Sequence, residues 1–283
     1  MNTSNFRMRE ICLVEISTNG AYSAVYVELI GALSTALNQL GVKVHFALDR
    51  IRPDMPCLVF AWYRQFIDEQ RPVSKLPSNC VIVNLAPLSG VEKAPWLARY
   101  IKCLCDTPVL DYSHYNVDIL TQIGNKQTSL FRFGYLPLSA FRFPEKSSHY
   151  VFYGKVNEHR LPTLKYLRED LKMPLRILNN SWGHERDIRI ATAKATINIG
   201  KFDASVLEVY RIWHSLCLGT PVISERGGDE KLVQDWQQYV QFVDGKEDWM
   251  KIEVDQTAPA RYAQQTSFIT ETQQLLDWLI QLK

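Results

Sequence analysis

The sequence feature that most constrains the fold is a repeated alternation of short apolar runs with helical segments. The first such unit joins the run 10–17 to the helical pattern 25–42 and then to the run 43–48. A strand, a helix and a second strand of these lengths form a βαβ unit, whose strands are parallel. The pattern 25–42 ends near Gly41, and glycine is favoured just past a helix C-terminus. The N-terminal part of the chain is therefore predicted to be an α/β lobe.

Further apolar runs extend this lobe, and a linker follows it. Strands are predicted at 57–62, 80–86, 100–105 and 129–135. Cys103 and Cys105 are interpreted as alternate residues of a strand, because the sequence offers no second Cys or Cys/His pair to complete a zinc site with them. Between Pro137 and Ser148 the periodicity is lost and Pro, Ser and charged residues gather, as expected of a linker between domains.

The alternation restarts after the linker and predicts a second lobe. Strands are expected at 150–154, 175–180, 195–200, 220–225 and 239–243, and helices at 161–171, 184–193, 206–219 and 229–236. The final segment, 270–283, carries apolar residues at helical spacing. A chain of 283 residues also has the length of two domains. We expect domains at 1–143 and 149–267, with a helix at 268–283 packing back onto the first.

Charge and cysteine usage bear on the partners and the compartment. The net charge is +2, from 32 basic and 30 acidic residues, so the chain lacks the positive excess that binds nucleic acid through its phosphates. The six cysteines mostly lie in apolar runs, where Cys behaves as a small hydrophobe, and we expect a reduced, cytoplasmic interior. The sequence contains no run near the ~18 apolar residues of a membrane-spanning helix. At most peripheral membrane contact is expected.

The segment of the second lobe that says most about function is a predicted helix followed by a strand and a loop. On the predicted helix, Glu208 and Arg211 are three residues apart and share a face. The helix stops at Gly219, a strand follows, and a loop with Gly227 and Gly228 then precedes a new helix. Ligands bind at this carboxyl edge of open parallel sheets. A glycine pair before a helix offers free N–H groups to a phosphate.

The order Glu-x-x-Arg followed by Gly-Thr-Pro-Val-Ile-Ser-Glu, within 208–225, resembles the donor-binding signature of GT-B glycosyltransferases, especially the spore-maturation-type and group 1 glycosyltransferases. Segments 151–169 and 193–200 resemble the preceding part of that group's second lobe, and 109–120 and 131–137 resemble the last strands of its first lobe. The resemblance implies a GT-B fold, with two Rossmann-like parallel-sheet domains facing across a cleft. It implies an enzyme that transfers a sugar from a nucleotide sugar to a hydroxyl acceptor.

The resemblance also implies roles for individual residues. Glu208 would accept hydrogen bonds from the ribose hydroxyls of the donor. Lys155, Arg160 and Arg211 would neutralise the departing diphosphate, and Gly154 would let the backbone approach the phosphates. Since basic residues take this part, neither a metal nor a cofactor besides the donor substrate is expected. The acceptor would be a glycan or glycoconjugate in surface polysaccharide assembly.

One departure from the family leaves the stereochemistry open. Many retaining members carry a second glutamate before the glycine, and alignment on Gly219 puts His214 at its position. An inverting enzyme needs a base within reach of the acceptor hydroxyl. Asp111 and His114 are favoured for this catalytic role because they follow a strand. The other candidates are Glu15, His45 and Asp49.

Two other functions fit the same sequence. Because a fold does not fix a reaction, a sugar-nucleotide epimerase on this architecture is the first alternative. The second is a non-catalytic module that binds a nucleotide or a glycan, and the short chain and the missing second glutamate keep it open. Product analysis with a labelled nucleotide sugar separates transfer or hydrolysis from epimerisation, and nucleotide binding without donor turnover across a broad acceptor panel would indicate the module.

Overall fold

The structure divides into two compact units. A computed structural model of the chain describes residues 8–17, 23–67, 75–89, 95–138, 145–201 and 206–282. The first unit comprises the residues up to Arg132 together with Phe268–Lys283, and the second comprises Phe133–Ser267. Of the linker predicted between Pro137 and Ser148, residues 139–144 lie outside the described part of the chain.

Strands and helices alternate along both units. The strands are β1 Glu10–Glu15, β2 Lys43–Leu48, β3 Cys57–Phe60, β4 Cys80–Asn84, β5 Val109–Asp111, β6 Thr128–Leu130, β7 Tyr150–Tyr153, β8 Leu175–Leu178, β9 Ala195–Asn198, β10 Val222–Glu225 and β11 Val240–Val243. The helices are α1 Val27–Gln39, α2 Arg64–Ile67, α3 Pro95–Leu104, α4 His114–Gln122, α5 Arg160–Lys165, α6 Gly183–Ala191, α7 Val209–Cys217, α8 Glu230–Trp236, α9 Lys246–Trp249, α10 Ala258–Gln265 and α11 Phe268–Gln281. A π-helical turn, Tyr166–Asp170, continues α5. Among the described residues, no helix has both the length and the apolar character needed to cross a bilayer.

The first unit is built on a six-stranded sheet. Its strand order is β2-β1-β3-β4-β5-β6, and every neighbouring pair is parallel. The central strands β3 and β4 are buried throughout, as strands covered on both faces must be. Helix α11 packs against α1, and Leu275, Leu276 and Leu279 of its apolar stripe are buried. Helix α11 lies at the end of the sequence and belongs to the first unit.

The strand predicted at 100–105 is wrong, because these residues belong to α3 and the turn after it. Tyr100 and Leu104 are both buried, four residues apart, as on one face of a helix. The apolar run taken alone is too short to distinguish this period from that of a strand. Cys103 and Cys105 are half-buried, and their spacing is not strand alternation.

The second unit contains a five-stranded sheet whose order is β11-β10-β9-β7-β8, again with every neighbouring pair parallel. The five strands and four helices predicted between 150 and 243 are all present. Strands β7 and β9 are buried along their whole length. The fold class predicted from the sequence, α/β with two parallel sheets, is therefore confirmed.

One helix boundary differs from the prediction, and the difference affects Glu208. Helix α7 begins at Val209, so Glu208 immediately precedes the helix and does not lie on it. The amide of Val209 donates to the carbonyl of Leu207 at 2.8 Å, and Glu208 has φ −79° and ψ 69°. This is an inverse γ-turn. Val206 and Leu207, which precede it, are buried.

Candidate functional site

The candidate site lies at the carboxyl edge of the second sheet. Because its strands are parallel, the chain leaves β7, β9 and β10 at the same edge, where open α/β sheets bind ligands. Gly154 and Lys155 directly follow β7, and Gly227 and Gly228 lie in the loop after β10. These four residues therefore lie at one edge of the sheet. Glu208 and the two arginines of the predicted donor site, described next, lie at the same edge.

Glu208 is held by two guanidinium groups. Its Oε1 accepts a hydrogen bond from Arg160 Nη2 at 2.5 Å, and its Oε2 lies 2.6 Å from Arg211 Nη2. The side chains of Arg160 and Arg211 are 4% and 10% exposed, whereas that of Glu208 is 28% exposed. We call these three residues the Glu208 clamp. The clamp fixes a partly exposed carboxylate between two buried cations.

Both arginines also bind the ends of neighbouring strands. Arg160 Nη1 donates to the carbonyl of Lys155 at 2.7 Å, and its Nε donates to that of Ile199 at 3.1 Å. Arg211 donates to the carbonyls of Tyr153 at 3.2 Å and of Ile199 at 2.7 Å. Burial, and then the charge of Arg211, lower the pKa of Arg160 to about 10, so Arg160 stays charged at neutral pH.

These contacts show what the three predicted phosphate-binding cations do in this structure. The guanidinium groups of Arg160 and Arg211 point to Glu208 and to backbone carbonyls, and both residues are buried. The side chain of Lys155 is exposed. The side chain of Lys155 and the carboxylate of Glu208 are therefore accessible to solvent, while the arginines hold that carboxylate in place.

Two glycines are required by close approaches around the clamp. Gly154 has φ +128°, and a Cβ there would lie 3.1 Å from Arg211 Nη1. A Cβ on Gly227 would lie 2.6 Å from the backbone nitrogen of Leu207 and 2.9 Å from its Cα. The loop after β10 thus packs backbone to backbone against the segment that leads into Glu208, and only glycine permits this approach.

Glu208 of the clamp lines a cavity of about 330 Å³. This volume lies in the range of small-molecule sites, roughly 300 to 1,000 Å³. Apolar walls come from Val206, Leu207, Val243 and Trp249, and the carboxylates of Glu208 and Glu225 line the same space. Of the predicted donor residues, Glu208 and Gly227 face this cavity directly.

Sequence reasoning missed Glu225 and Asn198, which also line the cavity. Glu225 Oε1 accepts a hydrogen bond from the Thr163 hydroxyl at 3.3 Å, and Oε2 accepts one from the amide of Gly200 at 3.2 Å. Each is the last residue of its strand, β10 or β9. A polar residue that ends a strand at the carboxyl edge was the signal in the sequence that could have identified both.

The two residues predicted as catalytic lie in the first unit, and their environments differ. Asp111 is 1% exposed; its Oδ2 accepts from Asn84 Nδ2 at 2.6 Å and its Oδ1 accepts from the amide of Ser113 at 2.9 Å. Burial raises the pKa of Asp111 to about 7 against the opposing effect of these hydrogen bonds. His114 is half-buried and is the first residue of α4. Ser113 caps that helix by accepting from the amide of Asn116.

The other candidate bases already have polar partners. Glu15 is fully buried and accepts from the amide of Ser23 at 2.8 Å, and burial raises its pKa. His45 lies 2.8 Å from a carboxylate oxygen of Glu10. Asp49 accepts from the amide of Ser17 at 2.8 Å. These partners are consistent with positional roles for the three side chains.

His214, the residue that alignment on Gly219 compares with a second glutamate, is buried in the second unit. Its Nε2 lies 3.3 Å from Asp187 Oδ1, and its Nδ1 lies 3.3 Å from the hydroxyl of Tyr153. The residue is 0% exposed. A histidine with both ring nitrogens within reach of polar partners, and without solvent access, fits a packing role.

Comparisons with known proteins identify the architecture. No protein-family model matches the chain, and no curated protein matches it. Among solved structures it is similar to AviGT4, a glycosyltransferase involved in avilamycin A biosynthesis, at 10% identity over 97% of this chain and 98% of that one, with a TM-score of 0.63. Anabaena Alr3699/HepE in complex with UDP and glucose matches at 11% identity over 95% and 99%, with a TM-score of 0.60.

A third similar structure is WaaG, a glycosyltransferase involved in lipopolysaccharide biosynthesis, at 10% identity over 96% of this chain and 99% of that one, with a TM-score of 0.56. At such identities the likeness is one of fold, and it extends over nearly the whole length of both chains. The resemblance read from the donor-binding signature is thus confirmed for the architecture. The chain has the GT-B fold of these glycosyltransferases, with two Rossmann-like α/β units.

Proposed function

We propose that the chain is a glycosyltransferase that moves a sugar from a nucleotide sugar to a hydroxyl acceptor in surface polysaccharide or glycoconjugate assembly. The observation that carries the proposal is the Glu208 clamp, which presents a fixed carboxylate to a cavity at the carboxyl edge of a parallel sheet. HepE, which shares the fold, has been solved with UDP and with UDP-glucose, and these complexes support a nucleotide-sugar donor.

In this proposal Glu208 binds the ribose of the donor. An ionised carboxylate offers only acceptors, about four lone-pair sites on two oxygens. The two arginines occupy one site on each oxygen, and the remaining sites can accept the two ribose hydroxyls. Because the arginines are themselves fixed by backbone carbonyls, the carboxylate needs little reorganisation when the donor binds. Arg160 and Arg211 are positioning residues for Glu208.

The leaving diphosphate is proposed to lie near Lys155, which is exposed directly after Gly154. Negative charge develops on this group as the sugar departs, and a pre-placed cation stabilises it most in the transition state. The buried charges of Arg160 and Arg211 and the N–H groups around Gly228 would add to the positive potential at this edge. This charge distribution supports a reaction that does not require a metal.

We propose that His114 takes the proton of the acceptor hydroxyl and that Asp111 positions His114. Asp111 accepts from the amide of Ser113, and Ser113 caps the helix that begins with His114. Asn116 Nδ2 lies 3.2 Å from each oxygen of Asp111. Asp111 therefore organises the turn from which His114 projects, and its own burial removes it from direct contact with an acceptor.

The proposed donor site is tested by isothermal titration of nucleoside diphosphates against the wild-type protein, Glu208→Gln and the matched control Glu169→Gln. Glu169 is an exposed glutamate that pairs with the adjacent Arg168. Loss of an ionised hydrogen-bond acceptor is expected to weaken nucleotide binding roughly tenfold or more. The control should bind like the wild type. Equal affinities for wild type and Glu208→Gln would remove Glu208 from the site.

The enclosure of Asp111 also supports a second candidate, a module that binds a nucleotide without turning it over. A labelled nucleotide sugar incubated with a panel of glycan acceptors distinguishes the candidates. Labelled glycan supports transfer, an isomerised donor supports epimerisation, and intact donor alongside measurable nucleotide binding supports the module.

A further inference from the structure

The cavity beside Glu208 has walls of two kinds. Its apolar lining comes from Val206, Leu207, Val243 and Trp249, and the charged residues Arg226, Asp244 and Lys246 line it as well. Its polar lining includes Glu225 and Asn198, the last residues of β10 and β9. Apolar faces suit a flat aromatic ring, whereas a polar edge selects among rings by their hydrogen-bonding groups. If Glu208 binds the ribose, as proposed above, the base attached to that ribose is the part of the donor that this cavity would receive.

Glu225 is oriented by two donors and retains acceptor capacity. The Thr163 hydroxyl donates to its Oε1 at 3.3 Å and the Gly200 amide donates to its Oε2 at 3.2 Å. One donor on each oxygen leaves about two lone-pair sites free, one on each oxygen. Two neighbouring acceptors at one edge of the cavity match a ligand with two neighbouring N–H groups.

Asn198 adds a further acceptor in the same wall. The Ser224 hydroxyl donates its hydrogen to the carbonyl of Glu225 at 2.8 Å. The same hydroxyl oxygen accepts a hydrogen bond from Asn198 Nδ2 at 2.9 Å. These two hydrogen bonds fix the side-chain amide of Asn198, with Oδ1 directed away from Ser224. Asn198 is 4% exposed, and among the residues that the structure describes its Oδ1 has no hydrogen-bond partner. A buried acceptor of this kind is costly until a donor reaches it.

We propose that this cavity selects guanine, so that the donor is a guanosine diphosphate sugar; this inference rests on the proposed nucleotide-sugar function. The Watson–Crick edge of guanine carries a ring N–H beside an amino group, which is the pair of adjacent donors that Glu225 can accept. The second hydrogen of the guanine amino group would be a hydrogen-bond donor for Asn198 Oδ1. Uracil presents one N–H between two carbonyl oxygens, and these oxygens would face a carboxylate. Adenine and cytosine each place an unprotonated ring nitrogen beside their amino group.

The test compares bases that differ only at this edge. Isothermal titration would measure GDP, IDP, XDP and UDP against the wild type, Glu225→Gln and the exposed control Glu169→Gln. Inosine lacks the amino group of guanine, and xanthine replaces it with a carbonyl. The wild type should bind GDP more tightly than IDP, and IDP more tightly than XDP or UDP. In Glu225→Gln the amide can accept from the ring N–H and donate to the carbonyl of xanthine, so GDP should weaken roughly tenfold to a hundredfold and XDP should become preferred over GDP.

Each outcome decides the inference. A wild type that prefers UDP to GDP overturns guanine selection and leaves the nucleotide-sugar function standing. Binding of no nucleoside diphosphate overturns both. Equal weakening of GDP and UDP in Glu225→Gln, with GDP still preferred to XDP, shows that Glu225 does not contact the base and also overturns the inference. The ranking of bases by the wild type requires no variant, so it decides the inference even if Glu225→Gln fails to fold.

Discussion

At the residue scale, the proposed mechanism depends on two acidic residues, Glu208 and Asp111, whose carboxylates lie in different environments. Glu208 lies between two guanidinium groups and is partly exposed, which suits a group that binds a ligand while ionised. Asp111 is enclosed by amides and is 1% exposed. Burial raises the pKa of Asp111 to about 7, and its titration is therefore linked to the stability of the first unit.

The pH dependence of stability should report Asp111. Its pKa is raised in the folded protein, from its ordinary value of 3.8 to about 7, so the folded state binds more protons than the unfolded state between those values. This contribution to the free energy of unfolding is full below pH ~4 and is lost as the pH rises towards 7. Asp111→Asn removes the titration, and the wild-type decline between pH 4 and 7 should become shallower. Urea unfolding at several pH values measures both slopes, and parallel curves would contradict the assignment.

Residue spacing alone paired Glu208 with Arg211, and the resemblance to GT-B glycosyltransferases implied that Arg160 belongs to the same site. Neither revealed that the two arginines would be buried against backbone carbonyls. That outcome depends on how strands β7 and β9 end beside each other, which is a tertiary property. Glu225 was missed for the same reason, since its importance comes from the cavity that it borders.

At the element scale, the site depends on the residues directly before α7, Val206 to Glu208. Predicted as helix, this segment instead packs its buried Val206 and Leu207 beside the loop after β10. Here tertiary packing overrode the local helix propensity. The error at 100–105 had a different cause, because that run is too short to show the helical period of α3. The long periodic pattern 25–42 predicted α1 correctly because many residues contribute to it. The strands of the second sheet are only four residues each, and they were predicted from apolar runs that alternate with helical segments.

Gly227→Ala should disturb both stability and binding. The new methyl group would lie 2.6 Å from the backbone nitrogen of Leu207, so the segment before Glu208 must shift. We expect a loss of about 1 to 3 kcal/mol in the free energy of unfolding, as for other overpacked sites, together with weaker nucleotide binding. Denaturant unfolding and titration with nucleotide measure the two effects. The control is Gly31→Ala in α1, where a methyl group meets no atom within 4 Å and alanine is the better helix former. Unchanged stability and binding in Gly227→Ala would contradict the close packing.

At the scale of the whole molecule, the two units divide the proposed work between donor and acceptor. Each unit has its own parallel sheet and its own core, and the proposed donor residues all belong to the second. Damage confined to the core of the first unit is therefore expected to lower its stability without altering the affinity of the donor site for nucleotide.

Leu276→Ala tests this separation. Leu276 is 4% exposed on α11, and truncation of a buried leucine costs roughly 2 to 5 kcal/mol. The melting temperature should fall, while the nucleotide affinity of the folded protein should equal that of the wild type. Gln274→Ala, an exposed change on the same helix, should alter neither. A large loss of nucleotide affinity in Leu276→Ala would show that the units do not act separately.

The position of α11 in the first unit has a consequence for biosynthesis. The ribosome makes α1 early, but α11, which packs against it, follows only after all of Phe133–Ser267 has been translated. The second unit is contiguous and can finish folding as soon as it emerges, whereas the first must wait for a segment from beyond it. During that interval the face of α1 that α11 later covers is open to solvent, where chaperones or other nascent chains can bind it.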